Sequence, residues 1–376
     1  MIIVHTEASC GWGGQEIRIL DEARGLIERG HYVMLVCPRE ARIYDEALAR
    51  GVPVVALPIG RKRLAGLLAL RRWLYQTPID IVNTHSSTDS WLVALACATL
   101  RRPPAVVRTR HISAPVPNNG PTRWLYGRAC AMIVTTGERL RETLMRDNHL
   151  DGSRIVSIPT GIDTKRFHPA SPIERVQARS RAGLLPGEFV VGIIATLRSW
   201  KGHRYLIEAI RLLNAADVAP ERRLRLLIVG DGPQRAALEE QVWSAGLTDS
   251  VVFAGNRHDV EHWMHACDLF VLPSYANEGV PQALMQAMLS GLCCVTTNVG
   301  SIGEIARHGV TACVVPVQDA DALAETIKAL MRNDALRESL GTAARNWCVE
   351  HNSRERMLDA MEAVFHKVEP PPPRLS

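Results

Sequence analysis

Residues 269–288 read LFVLPSYANEGVPQALMQAM, and this stretch decides the fold. Its four apolar residues at the start are typical of a short buried strand, and turn-forming residues follow them. Apolar residues then resume at helical spacing after Pro281, whose fixed φ suits the first turn of a helix. The stretch therefore predicts a strand, a loop and a helix. In that loop Glu278 is an isolated carboxylate beside the positive dipole end of the helix.

The same alternation of short apolar runs and longer helical patterns extends along nearly the whole chain. It predicts strands at residues 2–5, 32–37, 53–57, 79–83, 106–108, 131–135, 155–158, 189–195, 224–229, 251–253, 269–272, 292–296 and 313–315. Strands that alternate with helices form parallel sheets covered by helices on both faces. The predicted fold class is therefore α/β, with doubly wound sheets.

Residues 169–188 interrupt this rhythm with three prolines and two glycines, and we interpret them as a linker leading into a second domain. The predicted domains cover residues 1–168 and 169–350, and residues 351–376 form a C-terminal helix and a proline-rich tail. Ligands of open α/β sheets bind beyond the carboxyl ends of the strands. We therefore expect the two sheets to face each other across a ligand-binding cleft.

The composition is that of a globular protein, with 376 residues, 47% of them hydrophobic and 22% charged. The net charge of +5 is uneven. Residues 1–168 hold 23 basic and 15 acidic side chains (+8), whereas residues 169–376 hold 21 and 24 (−3). This difference predicts different partners for the two halves. No helix-turn-helix, finger or RNA-stacking signature accompanies the positive charge, so no nucleic-acid partner is expected.

The nine cysteines lie mostly in apolar runs, without CxxC spacing, and their number is odd. Such cysteines are typical of buried thiols in a reducing compartment, which predicts a cytoplasmic protein. The first residues lack the basic and apolar regions of a signal peptide. No apolar run approaches the ~18–20 residues of a membrane-spanning helix, so any membrane contact is expected to be peripheral, on the inner face of the plasma membrane.

Two further loops follow predicted strands and carry groups that could bind an anion. Gly13 and Gly14 lie between the first strand and its helix, where backbone amides can approach a phosphate closely. A plain tight turn is the alternative, and the G-x-G-x-x-G spacing of a dinucleotide site is absent. Arg198 and Lys201 follow the first strand of the second domain and can neutralise phosphate oxygens. A pair of solvated surface cations is the alternative there.

Histidines stand at the ends of two predicted strands of the first domain. His85 and His111 are each expected at the carboxyl edge of the sheet, although a structural hydrogen-bonding role is the alternative for both. A third group, His258, His262 and His265, has helical spacing that could bind zinc. Because HExxH is absent, we interpret that group as an exposed helix face and expect no metal site.

Residues 61–74 combine an apolar stripe with flanking cations, a pattern suited to an anionic membrane surface. An ordinary crossover helix packed on the first sheet is the alternative interpretation.

Taken together, these motifs resemble those of the retaining glycosyltransferases of family four, which have the GT-B fold. Within that family they resemble the bacterial enzymes that build cell-surface glycans and lipopolysaccharide. The resemblance runs from Gly13 to about residue 350, and its order and spacing make it specific. It is carried by Gly13-Gly14, Thr109-Arg110-His111, residues 161–169, residues 197–202, residues 229–233, residues 278–281 and residues 300–305.

The resemblance implies two Rossmann-like domains, with a C-terminal helix that crosses back to the first. A nucleotide-diphosphate sugar, with UDP favoured, is held mainly by the second domain and the acceptor by the first. The implied catalytic residues are His111, Glu278, Arg198 and Lys201. The implied donor-binding residues are Gly13, Gly14, Gly279, Val280, Pro281 and Gln286. We expect His85 and Asp89 to contact the acceptor, and we expect no metal or other cofactor.

Three positions depart from the family pattern. Gln286 stands where the family has a second glutamate, and an amide can still pair with ribose hydroxyls. Thr196 stands where the family has an arginine, so Arg198 is our substitute for it. Thr160 replaces an asparagine, a change expected to alter little.

The expected function is sugar transfer from a nucleotide sugar to a glycan or lipid-linked acceptor in cell-surface polysaccharide or lipopolysaccharide biosynthesis. Two alternatives use the same scaffold: a sugar-nucleotide epimerase or phosphorylase, and a non-catalytic sugar-nucleotide binding protein.

Overall fold

In the computed structural model, the described residues are 1–111, 114–215, 222–276 and 278–369. The chain divides into two compact units. The first unit contains Met1–Gly161 together with the chain from Arg354 on, and the second contains Ile162–Ser353. The predicted proline-rich tail lies beyond residue 369, outside the described residues.

The described part of the first unit forms a parallel sheet of seven strands covered by helices on both faces. The strands are β1 Ile2–Thr6, β2 Tyr32–Cys37, β3 Val54–Ala56, β4 Ile81–Thr84, β5 Ala105–Arg110, β6 Met132–Thr135 and β7 Ile155–Ser157. The helices are α1 Gly14–Glu28, α2 Arg42–Ala49, α3 Leu64–Gln76, α4 Ser87–Cys97, α5 Gly120–Trp124 and α6 Glu138–Asn148. The strand order is β3-β2-β1-β4-β5-β6-β7, so the order reverses between β1 and β4. In open α/β sheets such a switch point is where ligands bind.

The described part of the second unit forms a second parallel sheet, of six strands. They are β8 Phe189–Ile194, β9 Leu224–Val229, β10 Val251–Gly255, β11 Leu269–Leu272, β12 Cys293–Thr297 and β13 Cys313–Val315. Its helices are α7 Pro172–Arg181, α8 His203–Ala215, α9 Arg235–Ser244, α10 Val260–His265, α11 Gln282–Leu289, α12 Ala320–Met331 and α13 Asp334–His351. The order β10-β9-β8-β11-β12-β13 places the switch point between β8 and β11.

Both faces of each sheet are packed with apolar side chains, which explains why the strands are near-continuous apolar runs. β8, for example, is buried at all six positions. The predicted strands are confirmed, with ends displaced by one or two residues. The predicted class, α/β with two doubly wound sheets, is confirmed as well.

The prediction of a linker over residues 169–188 was wrong, because α7 occupies its centre. Pro172 is the first residue of this helix, where proline is favoured, and not a breaker within it. Ser171 caps the helix, and its side chain and that of Glu174 form a reciprocal capping box.

The division between the units lies at residues 161/162 and not at 168/169. Phe167 is buried in the core of the second unit, and Arg166 forms an ion pair of 2.6 Å with Glu261 of α10. Ile162 pairs with Ser353 in an isolated bridge. These contacts bind residues 162–168 to the second unit, so the composition change at Pro169 comes after the boundary.

The last helix, α14 Arg354–Val368, belongs to the first unit, as the expected C-terminal crossing requires. It packs on α1 at Gly25, where a Cβ atom would lie 2.4 Å from a methyl carbon of Leu358. A larger residue at position 25 would require the Leu358 side chain to shift. Arg29 at the end of α1 also pairs with Glu362 of α14, at 2.5 Å. None of the described helices is both long enough and apolar enough to cross a bilayer.

Candidate active site

Lys201 and Glu278 lie together at the switch point of the second sheet. Lys201 follows β8 and Glu278 follows β11, and these strands are neighbours. The Lys201 Nζ lies 2.7 Å from Glu278 Oε1. The carboxylate side chain is only 5% exposed and the lysine side chain 18%. The two residues expected at a donor site are therefore in direct contact, in a partly desolvated pair.

Two glycines allow the loops around this pair to approach each other. Gly202 has a φ of +79°, and a Cβ atom there would lie 2.0 Å from the carbonyl oxygen of Pro273. Gly300 has a φ of +59°, and a Cβ atom there would lie 1.9 Å from the carbonyl oxygen of Glu278. A side chain at either position would push the loops apart, so these glycines are required by the geometry of the pair.

The other predicted donor residues of the second unit surround the start of α11. Pro281 is the residue before the helix, Val280 is buried beside it, and Gly279 is half-buried. Gln286 lies one turn into α11 and is half-buried. Arg198 is exposed, with its guanidinium over the Trp200 ring at 5.7 Å. Its role as a substitute for the family arginine stays a prediction.

In the first unit the predicted Gly13–Gly14 turn begins α1 directly after β1. Gly13 is the N-cap residue and Gly14 is exposed. The structure adds a residue that sequence reasoning missed, Glu7, which is fully buried. Its Oε1 accepts the Ser9 amide at 2.7 Å, and its Oε2 accepts a hydrogen bond from Gln15. Glu7 therefore links both ends of the glycine loop.

The carboxyl group of Glu7 is held in an unusual state. Burial, followed by the nearby charge of Asp89, raises its pKa to about 8. The desolvated carboxylate is costly, so the protonated form persists to neutral pH. The signal for this residue in the sequence is a glutamate directly after an apolar strand and before the glycine loop.

The histidines predicted at strand ends form a hydrogen-bonded row with a third histidine, His5 of β1. His85 Nε2 lies 2.9 Å from His5 Nδ1, and His85 Nδ1 lies 2.9 Å from His111 Nε2. His5 and His85 are buried, and His111 is half-buried. Both ring nitrogens of His85 are used in hydrogen bonds inside the protein, and its contact with an acceptor stays a prediction.

Asp89, the other residue predicted to contact the acceptor, also forms its hydrogen bonds inside the protein, and its acceptor contact stays a prediction. Asp89 is fully buried in the first turn of α4, where it accepts a hydrogen bond from the Thr6 hydroxyl at 2.6 Å. It also accepts the backbone amides of His85, at 2.9 Å, and Ser86, at 2.8 Å. The carboxylate caps α4 and joins it to β1, and its pKa is raised by burial.

Two buried arginines at the end of β5 lie next to His111 in sequence. Arg108 Nε and Arg110 Nη1 both donate to the Tyr126 hydroxyl, at 3.0 and 3.2 Å. Burial lowers the pKa of Arg108, but the nearby Tyr126 and Asp89 raise it by more, so that it lies above its usual value. Arg110 Nε is buried with no hydrogen-bond partner among the described residues. Burial, with Arg108 close by, lowers the pKa of Arg110.

The described residues contain no group of three or more metal-ligating side chains. His265, one of the three histidines at helical spacing, is buried, and its Nε2 lies 3.0 Å from the carbonyl oxygen of His168. The interpretation of that trio as an exposed helix face is therefore wrong for His265.

The chain is similar to known proteins over most of its length. The family described as "Glycosyltransferase Family 4" matches residues 12–166, and "Glycosyl transferases group 1" matches residues 175–347. A UDP-Gal:alpha-D-GlcNAc-diphosphoundecaprenol alpha-1,3-galactosyltransferase of Escherichia coli is 26% identical over 89% of this chain and 88% of its own. The lipopolysaccharide core biosynthesis mannosyltransferase LpsB of Rhizobium meliloti is 29% identical over 67% of this chain and 69% of its own. Among solved structures, Anabaena HepE in complex with UDP-glucose has a TM-score of 0.83 at 20% identity, covering 98% of this chain and 100% of that one.

Proposed function

We propose that the sugar donor of this chain is a UDP-sugar. The chain belongs to the family-four glycosyltransferases, which have the GT-B fold, and it transfers a sugar from a nucleotide sugar. The sugar passes, with retention of its anomeric configuration, to a glycan or lipid-linked acceptor. The reaction belongs to cell-surface polysaccharide or lipopolysaccharide biosynthesis. The observation that carries the proposal is the buried Lys201–Glu278 pair at the switch point of the second sheet.

The relatives support this choice of substrates. The name of the Escherichia coli relative specifies UDP-galactose and a lipid diphosphate acceptor, and HepE was solved with UDP-glucose. Arg110, whose buried Nε has no hydrogen-bond partner among the described residues, favours an acceptor that carries an acidic group. The family matches favour sugar transfer over an epimerase and over a non-catalytic binding protein.

In the proposed reaction, Lys201 neutralises the charge that develops on the leaving diphosphate, and Glu278 holds hydroxyl groups of the donor sugar. The bond from the sugar carbon to the phosphate oxygen breaks while the bond to the acceptor oxygen forms on the same face. The acceptor proton passes to an oxygen of the departing phosphate. The proposed reaction needs no metal ion, because Lys201 and the amides at the start of α11 supply the positive charge.

The chain works at the inner face of the plasma membrane in this proposal, and α3 supplies the contact. Leu64, Leu68 and Tyr75 share its outer face and are 69%, 56% and 78% exposed. Its inner face, with Leu70 and Leu74, is buried in the first unit. Exposed apolar side chains flanked by arginines match an anionic lipid surface.

Flotation with vesicles that contain anionic lipid tests this contact. We expect the wild-type chain to float at low salt, and the variant L68S/Y75S to float several-fold less, with unchanged thermal stability because both side chains are exposed. Equal flotation of the two proteins would contradict docking through α3.

A screen of UDP-, GDP- and ADP-sugars by thermal unfolding tests the donor. A true donor at about 100 times its Kd stabilises the chain by roughly 2.7 kcal/mol, so we expect a UDP-sugar to raise Tm most. The product of that donor is then examined by NMR, with and without EDTA. We expect an anomeric configuration equal to that of the donor and no effect of EDTA. An inverted product would contradict retention, and loss of activity in EDTA would contradict metal independence.

A further inference from the structure

The three histidines of the first unit form a row of hydrogen bonds that leads from the interior to the edge of the sheet. His5 lies in β1, His85 directly follows β4, and His111 directly follows β5. The ring nitrogens of neighbouring rings are 2.9 Å apart at both links. The His5 and His85 rings are stacked with centroids 5.2 Å apart. We call His5, His85 and His111 the histidine row.

The surroundings of all three rings favour the neutral imidazole over the charged form. Burial, followed by the charge of Arg18, lowers the pKa of His5 to about 3. Burial and the neighbouring charges, Arg18 and Arg108 among them, lower the pKa of His85 and of His111 well below the usual value. A neutral imidazole has one N–H donor and one bare nitrogen acceptor.

This count of protons fixes a common direction for both hydrogen bonds. His85 has one N–H, so it donates to one neighbour and accepts from the other. Either His5 donates to His85 and His85 donates to His111, or both hydrogen bonds point the opposite way. The tautomer of the half-buried His111 is therefore coupled to that of His5 in the interior.

The environment of His5 selects between the two directions. Its Nε2 is buried and has no partner among the described residues. If the row pointed inward, this nitrogen would carry a buried N–H without an acceptor, which is rarer and more costly than a bare acceptor. His5 therefore donates to His85 and His85 donates to His111, and the proton of each ring lies on Nδ1.

We propose that His5 and His85 are positioning residues that fix His111 as an N–H donor at Nδ1. His111 then donates a hydrogen bond to an oxygen of a substrate bound to the first unit and does not take the proton of the acceptor. The identity of that oxygen rests on the function proposed above, whereas the tautomer does not. Tyr126, Asp89 and Arg108 are the other titratable or charged groups near the row, and Asp89 accepts the backbone amide of His85.

The tautomers are measured directly by long-range ¹H–¹⁵N NMR of ligand-free protein labelled at histidine. We expect His5, His85 and His111 each to show a protonated Nδ1 and a bare Nε2 at pH 7. This pattern is distinctive because free neutral histidine prefers the opposite tautomer. A proton on Nε2 of His111, or a charged His111 ring, would overturn the proposal whether or not the transferase function is correct.

The variant H5F tests the coupling without touching His111. Phenylalanine has no N–H to donate to His85, so His85 can adopt either tautomer. We therefore expect part of the His111 signal to shift to the Nε2-protonated form. The turnover number should fall about tenfold, the effect of one lost hydrogen bond, with the Kd of the donor unchanged. The control is H31N, because His31 is bound to Glu362 away from the row. An unshifted His111 signal in H5F would contradict the coupling.

A pair of variants at His85 separates positioning from folding. H85N keeps an amide donor toward His111, whereas H85L removes it. We expect H85N to retain the Nδ1-protonated His111 and several-fold more turnover than H85L. Equal turnover and equal His111 spectra in the two variants would overturn the role of His85.

Discussion

The carboxyl edges of the two sheets are built from opposite kinds of chemistry. In the second unit the edge holds a cation and a carboxylate in direct contact, Lys201 and Glu278 at 2.7 Å. In the first unit the edge holds mainly neutral groups, the histidine row and Glu7 with a pKa of about 8, and the buried cations Arg108 and Arg110 lie beside them at the end of β5. Both sheets are doubly wound and parallel, so the difference comes from the side chains that follow the strands and not from the fold.

The difference assigns different tasks to the two units. A diphosphate leaving group needs positive charge that is already in place, and our proposal gives this task to the second unit. A sugar hydroxyl needs hydrogen-bond partners of defined direction, and our proposal gives this task to the histidine row. Breaking the charged edge should therefore cost more activity than changing the neutral edge.

The largest effect is expected for Lys201→Ala. Removing the charge that faces the leaving diphosphate should lower kcat at least ~100-fold, as removal of one transition-state contact does. Initial rates of nucleoside diphosphate release measure it. The matched control is Lys328→Ala, because Lys328 forms only a helix-surface pair with Glu325, at 3.2 Å. Near-normal rates in Lys201→Ala would contradict the assignment.

Glu278→Gln is expected to have the next largest effect. A hydrogen bond to a charged group is worth more than a neutral one, so kcat/KM should fall about 10- to 100-fold. Because Glu278 and Lys201 are in contact, the double variant should lose less than the product of the two single losses. A fully multiplicative loss would show that the two residues act independently.

The raised pKa of Glu7 should make the free energy of unfolding depend on pH. Folding raises the pKa of Glu7 to about 8, so the folded state holds more protons than the unfolded state between pH 4.5 and 8. The contribution of Glu7 to stability is therefore complete below its unfolded pKa and is lost as pH rises toward 8. In Glu7→Gln this contribution is absent.

Urea unfolding of both proteins between pH 5 and 8.5 measures this effect. The free energy of unfolding of the wild type should fall relative to that of Glu7→Gln by about 1 kcal/mol or more over the range. Parallel pH curves for the two proteins would show that Glu7 is ionised in the folded state.

The smallest effect is expected for Gln286→Glu, which restores the family residue in the charged unit. Both an amide and a carboxylate accept hydrogen bonds from ribose hydroxyls, so the KM of the donor should change less than about tenfold. Steady-state titration of the donor measures it. A much larger gain in affinity would show that the charge at this position matters more than the hydrogen bonds.

The strands and the charged pair are predictable from sequence for the same reason. Buried parallel strands are apolar runs, so their positions are visible, and the residues directly after them lie at one edge of a sheet. Lys201 and Glu278 follow neighbouring strands, and their contact follows from that order. The prediction of a linker over residues 169–188 was wrong because proline at position 172 favours the start of a helix and does not interrupt one. The Ser171–Glu174 capping box was the available signal for α7.

The neutral edge is harder to predict because it depends on contacts between residues far apart in sequence. His5 looks like any residue of a buried strand until β4 places His85 beside it. Asp89 resembles a surface acid at the start of a helix, and only the Thr6 hydroxyl and the backbone of residues 85–86 reveal it as a buried cap. Such roles need the three-dimensional register of the sheet.

The most direct measurement is the release of UDP from a UDP-sugar, with and without a lipid-diphosphate-linked glycan acceptor, by the wild-type protein and by Lys201→Ala. We expect release by the wild type that depends on the acceptor and yields an equal amount of glycosylated product. Lys201→Ala should show at least ~100-fold slower release. Release that is independent of acceptor, or equal rates in the two proteins, would contradict transfer through the charged edge of the second unit.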